Sequence, residues 1–207
     1  MKEMLAYNIL TLSRAYVLSN LSYHIGANSL VQEKLYVELK GIMPQLNGTM
    51  KLQDLEKLPY LTAVIQEGLR ITQPLAHRNA RVLPYKGLFY RDAEIPAGTP
   101  ISMTTYLVHE NESIFPEPRE FRPERWLHNE RLRKYLLAFS RGSRSCLGIN
   151  LAWAELYLIV AHIFRRFKFD VGQIVRERDI DVTKDFIMGV PRDDSKGIVV
   201  KVLKNDI

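Results

Sequence analysis

Phe139-Ser140-Arg141-Gly142-Ser143-Arg144-Ser145-Cys146-Leu147-Gly148 contains the only cysteine among 207 residues. It matches F-x-x-G-x-R-x-C-x-G at five fixed positions, which random sequence of this length achieves once in ~10⁴ chains. Each fixed position suits a turn that presents a metal-bound thiolate. The thiolate is the form of cysteine that binds metals, and positive charge or a helix N-terminus beside it favours that form. Arg144 supplies the charge, and residues 147–167 are predicted to form a long helix whose free N–H groups begin at the sulfur. Gly142 permits a tight turn before Cys146, and Gly148 permits close approach of a flat group after it. Phe139 is placed to pack against such a group. A lone cysteine without these neighbours would be read as a small buried hydrophobe.

Two upstream segments extend the pattern. Leu61 to Arg70 contains Glu67-x-x-Arg70, and Phe121-Arg122-Pro123-Glu124-Arg125-Trp126 follows it. Together with the cysteine loop, and in this order, they resemble the cytochrome P-450 family of heme-thiolate monooxygenases, in particular its eukaryotic, fungal-like members. The cysteine loop resembles the family's heme-ligand signature, Glu67-x-x-Arg70 its E-x-x-R, and residues 123–126 its PERF segment, with Trp126 in place of the final Phe. The resemblance implies heme b as cofactor and Cys146 as axial ligand to its iron. Phe139, Gly142, Arg144, Gly148 and Arg81 are the further cofactor-binding candidates, Arg81 and Arg144 through the heme propionates. Guanidinium groups suit that contact because they donate to carboxylates in a planar, bidentate way and stay charged. The resemblance also implies a buried structural triad of Glu67, Arg70 and Arg125, in which deleting Arg125 would cost ~3–5 kcal/mol by stranding Glu67.

The residues alone leave the triad open. Leu61, Val64, Ile65 and Leu69 form one apolar helical face, and Glu67 and Arg70 fall opposite it, as a solvated pair worth ~0.2–0.5 kcal/mol would. The segment after Arg70 resembles the family's pocket-lining loop and strand; His77 there is read as a surface residue. Pro96-Ala97-Gly98-Thr99-Pro100 predicts a turn between short strands, and residues 101–108 an extended segment passing into a helical turn. Ser29 with Gln32 predicts a capping box for a helix with apolar residues Leu30, Val31, Leu35 and Leu39, ended by Gly41. Residues 183–190 resemble a hairpin reaching into the pocket, where Phe186 to Met188 would touch substrate or serve as core.

Composition is that of a globular protein: 46% hydrophobic, 25% charged, formal net charge +6. Basic residues alternate with glutamates and no reading motif accompanies them, which argues against nucleic-acid binding. Arg131, Arg133, Lys134 and Arg141 cluster before the cysteine. In the family that side meets an acidic flavoprotein reductase; an ordinary solvated basic face is the alternative. One cysteine excludes an intrachain disulfide and suggests a reducing, intracellular compartment. For a full-length eukaryotic relative this would be the endoplasmic reticulum membrane. The apolar run 151–164 is too short to cross a bilayer, and residues 4–12 read as neither signal peptide nor membrane anchor.

The expected fold is mainly α with small β-sheets (α+β), the carboxy-terminal portion of the P-450 fold. Residues 1–207 form a partial domain resembling the family over about 18–202, without the family's amino-terminal half. Val17 to Ile25 resembles the end of the family's distal helix, whose oxygen-activation motif A/G-G-x-D/E-T aligns with Ile9-Leu10-Thr11-Leu12-Ser13. Leu12 stands at the acidic position and the glycine is absent, so Ser13 receives no role. Three functions remain open from sequence: a monooxygenase that inserts one atom of O2 into a small apolar organic substrate using reductase electrons; an inactive truncated fragment; and a heme-binding carrier or sensor without turnover.

Overall fold

The computed structural model describes residues 2–75, 77–186 and 188–204, apart from the side chains of 2–12, 14, 186 and 204. The side chains aligned with the oxygen-activation motif before Ser13, together with Phe186 and Ile187, therefore lie outside what is described. Four helices build the core. The first, α1 (Lys2–Ala27), buries Val17, Leu21 and Ile25 at a spacing of four, one stripe of a 3.6-residue helix. Helix α2 (Ser29–Ile42) turns back from it after Asn28, whose side chain accepts the Val31 N–H at 3.1 Å. That cap replaces the expected Ser29–Gln32 box. Gln32 instead reaches 137 residues along the chain, its Oε1 accepting the Phe169 N–H at 2.9 Å. Of the expected apolar face, Val31, Leu35 and Leu39 are buried and Leu30 is exposed.

After the short α3 (Leu52–Leu55), helix α4 (Pro59–Thr72) starts with proline at its first position, where a missing N–H is harmless. No side chain of its own caps it. Glu38 of α2 does so from outside, its two oxygens accepting the Tyr60 and Leu61 N–H groups at 2.9 and 2.8 Å. A carboxylate there also suits the helix dipole. Helices α1 and α4 cross at Gly68, where an added Cβ would sit 2.5 Å from a methyl of Leu21. The last core helix, α6 (Ile149–Arg166), buries Ala152, Leu156, Val160 and Phe164. It begins two residues later than predicted, and Phe167 passes into a strand.

The strands are short and pair in antiparallel twos. β1 (Arg81–Val82) pairs with β4 (Pro100–Ile101), and β2 (Leu88–Tyr90) with β3 (Ala93–Ile95), so that β3 and β4 flank the turn expected at Pro96 to Pro100. The helical turn α5 (Thr105–His109) follows, capped by the Thr104 hydroxyl. Beyond α6, β5 (Phe167–Asp170) pairs with β8 (Lys201–Lys204), while β6 (Lys184–Phe186) and β7 (Met188–Val190) form the late hairpin; α7 (Arg176–Asp179) lies between. The sequence pattern missed β5, because its four residues directly continue the helix. Residues 110–126 form a long irregular segment ending in the 3-10 turn Pro123–Trp126. Among the described residues no helix is long and apolar enough to cross a membrane.

Candidate functional site

The cysteine loop is held by its own backbone. Leu137 O accepts the Ser140 N–H at 2.8 Å, Gly142 O accepts the Ser145 N–H at 3.0 Å, and Phe139 O accepts the Cys146 N–H at 2.9 Å. Gly142 has φ +84°, a left-handed conformation in which a β-carbon is strained. Cys146 stands three residues before the first residue of α6 and is half-buried.

Cys146 opens onto a cavity of about 420 Å³ between α1, the segment after α4, and the start of α6. Val17, Leu69, Leu75, Phe139, Leu151 and Leu156 make its walls predominantly apolar. Arg81 and Arg144 line it together with the cysteine. Arg81 Nη2 donates to the Ser140 hydroxyl at 2.7 Å, and Arg144 has no hydrogen-bond or ion-pair partner among the described residues. Of the six sequence-predicted cofactor contacts, the structure brings Phe139, Arg144, Cys146, Gly148 and Arg81 to this cavity. Gly142 does not line it and acts only in the turn. Ser13, given no role from the sequence, also lines the cavity. Behind the wall, Phe139 packs on Trp153, ring centroids 6.2 Å apart.

An apolar slot with one thiol on its wall and two guanidinium groups, one unpartnered, suits a flat apolar macrocycle that carries carboxylates and takes a thiolate ligand. The residues present therefore fit heme.

Glu67, Arg70 and Arg125 meet on the far side of α4, and the solvated-pair alternative does not apply. Glu67 and Arg70 side chains are fully buried and Arg125 is 7% exposed. Glu67 Oε1 accepts from Arg70 Nη2 at 2.8 Å, the Arg122 N–H at 3.0 Å and Arg125 Nε at 3.1 Å. Its Oε2 accepts from Arg70 Nε at 2.9 Å and from Trp126 Nε1 at 2.8 Å. The arginines then donate onward to carbonyls of the 109–120 segment: Arg70 to His109 at 3.0 Å, Arg125 to Pro116 at 2.8 Å. The helical wheel alone left this open, because a polar helix face can meet either solvent or another segment; here the polar face of α4 is covered by that irregular segment.

Sequence reading passed over two residues of this region. Trp126 departs from the PERF pattern, yet its indole N–H is one of the five donors to Glu67. His109 is fully buried between the network and the cysteine loop. The only signal for it was one polar residue ending the run Tyr106-Leu107-Val108. His77, expected at the surface, is exposed and pairs with Asp185 at 3.4 Å. Arg131, Arg133, Lys134 and Arg141 are all exposed, and Arg141 is tied back to the Arg133 carbonyl at 2.9 Å.

The sequence profile of the family Cytochrome P450 matches residues 15–196. The chain belongs to the cytochrome P450 family. Its mainly helical architecture with small sheets corresponds to part of the P450 fold. Among P450 proteins it is 42% identical to the cytochrome P450 monooxygenase tpcC of Cochliobolus heterostrophus, over 93% of this chain and 40% of that protein. It is 38% identical to the N-acetyltryptophan 6-hydroxylase ivoC of Emericella nidulans, over 94% of this chain and 39% of that protein. It is 44% identical to the cytochrome P450 monooxygenase MO6277 of Ascocoryne sarcoides, over 88% and 36% respectively. The chain thus spans about two fifths of the length of these fungal relatives.

Proposed function

We propose that this chain forms the heme-binding portion of a heme-thiolate monooxygenase acting on a small apolar organic substrate. The observation that carries the reading is the convergence of Cys146, Arg81 and Arg144 on one apolar cavity. Cys146 is the ligand to the heme iron, Arg81 and Arg144 hold the propionates, and Phe139 and Gly148 shape the wall around the sulfur. Heme ligated by thiolate supplies the O2 activation that puts one oxygen atom into a C–H bond, with electrons from a flavoprotein reductase. The chain's own part is to bind and orient the cofactor and keep water from its apolar face. The exposed cluster Arg131, Arg133, Lys134 and Arg141 offers the positive surface for an acidic reductase. The partial domain proposed is residues 1–207.

The test is a reduced carbon monoxide difference spectrum of the chain loaded with heme, for the native sequence and for Cys146→Ser. A thiolate-type band present in the first and absent in the second is the expected result. No such band in either, or the same band in both, overturns the reading. A second reading, heme binding without turnover, draws on Leu12 at the position where the family motif carries an acid. Substrate-dependent oxidation of reduced nicotinamide with a partner reductase separates the two.

A further inference from the structure

His109, the last residue of α5, is fully buried and touches both halves of the site described above. Its carbonyl accepts from Arg70 Nη1 at 3.0 Å, and its ring Nε2 accepts the Leu137 N–H at 3.0 Å. Leu137 opens the cysteine loop: its carbonyl holds Ser140, and two residues on the Phe139 carbonyl holds the Cys146 N–H. A continuous path of hydrogen bonds and peptide therefore runs from the buried Glu67–Arg70 pair through His109 to the peptide that carries the sulfur.

Resting on the heme-thiolate reading, we propose that His109 is a positioning residue: through the Leu137 N–H it fixes the cysteine loop, and so the seat of the Cys146 sulfur, against the rigid Glu67 network. The job needs a buried acceptor that stays neutral beside Arg70. A carboxylate there would compete with Glu67 for that guanidinium, and a hydrocarbon would leave the part-buried Leu137 N–H without its acceptor. An imidazole meets the need, since burial and then the charge of Arg70 push its pKa down to about 4, leaving the Nε2 lone pair available. With Nε2 accepting, the proton sits on Nδ1. That buried nitrogen makes no hydrogen bond among the described residues. A residue present only to fill space would avoid that penalty. The ring instead stands edge-on to Phe115, centroids 6.1 Å apart and planes at 87°, which sets the direction of Nε2.

The experiment compares the full chain with His109→Phe and His109→Gln. Three quantities are read: hydrogen exchange at the Leu137 and Cys146 amides, the alkylation rate of Cys146 in the heme-free chain, and the fraction of thiolate-type band in the reduced carbon monoxide spectrum. In His109→Phe, loss of the acceptor raises Leu137 exchange roughly tenfold, the effect of one hydrogen bond, and lowers the thiolate-type fraction. His109→Gln, whose side-chain carbonyl can take the place of Nε2, restores both toward the native values. Asn28→Ala serves as the comparison for mere destabilisation, because it removes the cap of α2 at Val31 and touches neither the Glu67 network nor Leu137; it lowers the melting temperature and leaves the band unchanged. If His109→Phe does not fold, His109→Asn replaces it, since its side chain is too short to reach Leu137. Native Leu137 protection in His109→Phe, no recovery in His109→Gln, or an equal band change in Asn28→Ala each overturns the proposal. If the native chain shows no thiolate-type band, the heme reading fails by itself. The exchange and alkylation measurements then still decide His109: unchanged Cys146 alkylation in His109→Phe refutes its positioning role.

Discussion

Replacing Glu67 by glutamine preserves the shape of the side chain and removes only its charge and half of its acceptor capacity. The native carboxylate, fully buried, accepts five hydrogen bonds at 2.8–3.1 Å from Arg70, the Arg122 N–H, Arg125 and Trp126. The amide places an NH2 group opposite at least two of those donors whichever way it is turned. Both guanidinium groups also lose their counter-charge. Breaking a buried ion pair by neutralising one member costs about 3–5 kcal/mol, because the remaining charge stays desolvated. For a chain of this size that corresponds to a fall in Tm of roughly 6–20 °C. Urea and thermal unfolding followed by circular dichroism measure it directly. A loss below about 1 kcal/mol refutes the reasoning, since an exposed pair three residues apart on a helix contributes only ~0.2–0.5 kcal/mol. The same geometry revises the expectation for Arg125. Glu67 keeps four other donors when Arg125 is removed and is not stranded, so Arg125→Leu is expected to cost about 2–3 kcal/mol, near one charged hydrogen bond plus the lost carbonyl contacts.

Trp126→Phe restores the family's PERF pattern but removes the 2.8 Å indole bond to Glu67; a loss of about 1.5–2.5 kcal/mol in urea unfolding is expected, and a stability gain would show that the bond is not formed. Glu38→Ala deprives α4 of its external cap at Tyr60 and Leu61 and is expected to cost about 1–2 kcal/mol in the same assay. Stability also falls as pH drops from about 6.5 toward 4. Burial, then Arg176 and Arg70, push His24 down to about 3, and burial with Arg70 pushes His109 down to about 4. In that window the unfolded chain holds protons that the folded chain refuses, so the sign is destabilising on acidification. His24→Phe removes its share of the slope in pH-dependent unfolding, and an unchanged slope would contradict a buried neutral His24.

What the sequence carried by itself was local or short-range. The cysteine loop was legible because one turn requires a glycine at φ +84° and a cysteine just before a helix, and these lie within a few residues. The short strands around a Pro-Gly-Pro turn and the period of the buried helices were readable for the same reason: backbone preference and side-chain period act over neighbours. The family resemblance brought in Glu67, Arg70 and Arg125 as a set, but no periodicity could choose between solvent and burial for them. That choice rests on the path of residues 110–126, which cover the polar face of α4. Trp126 lies 59 residues from Glu67, and Leu137 lies 28 from His109. Likewise the cap of α4 by Glu38, and the strand that follows α6 and pairs with residues 201–204, were settled by packing against distant elements. Whether a polar side chain meets water or a buried partner depends on which distant segment the fold lays over it, and only the tertiary structure decides that.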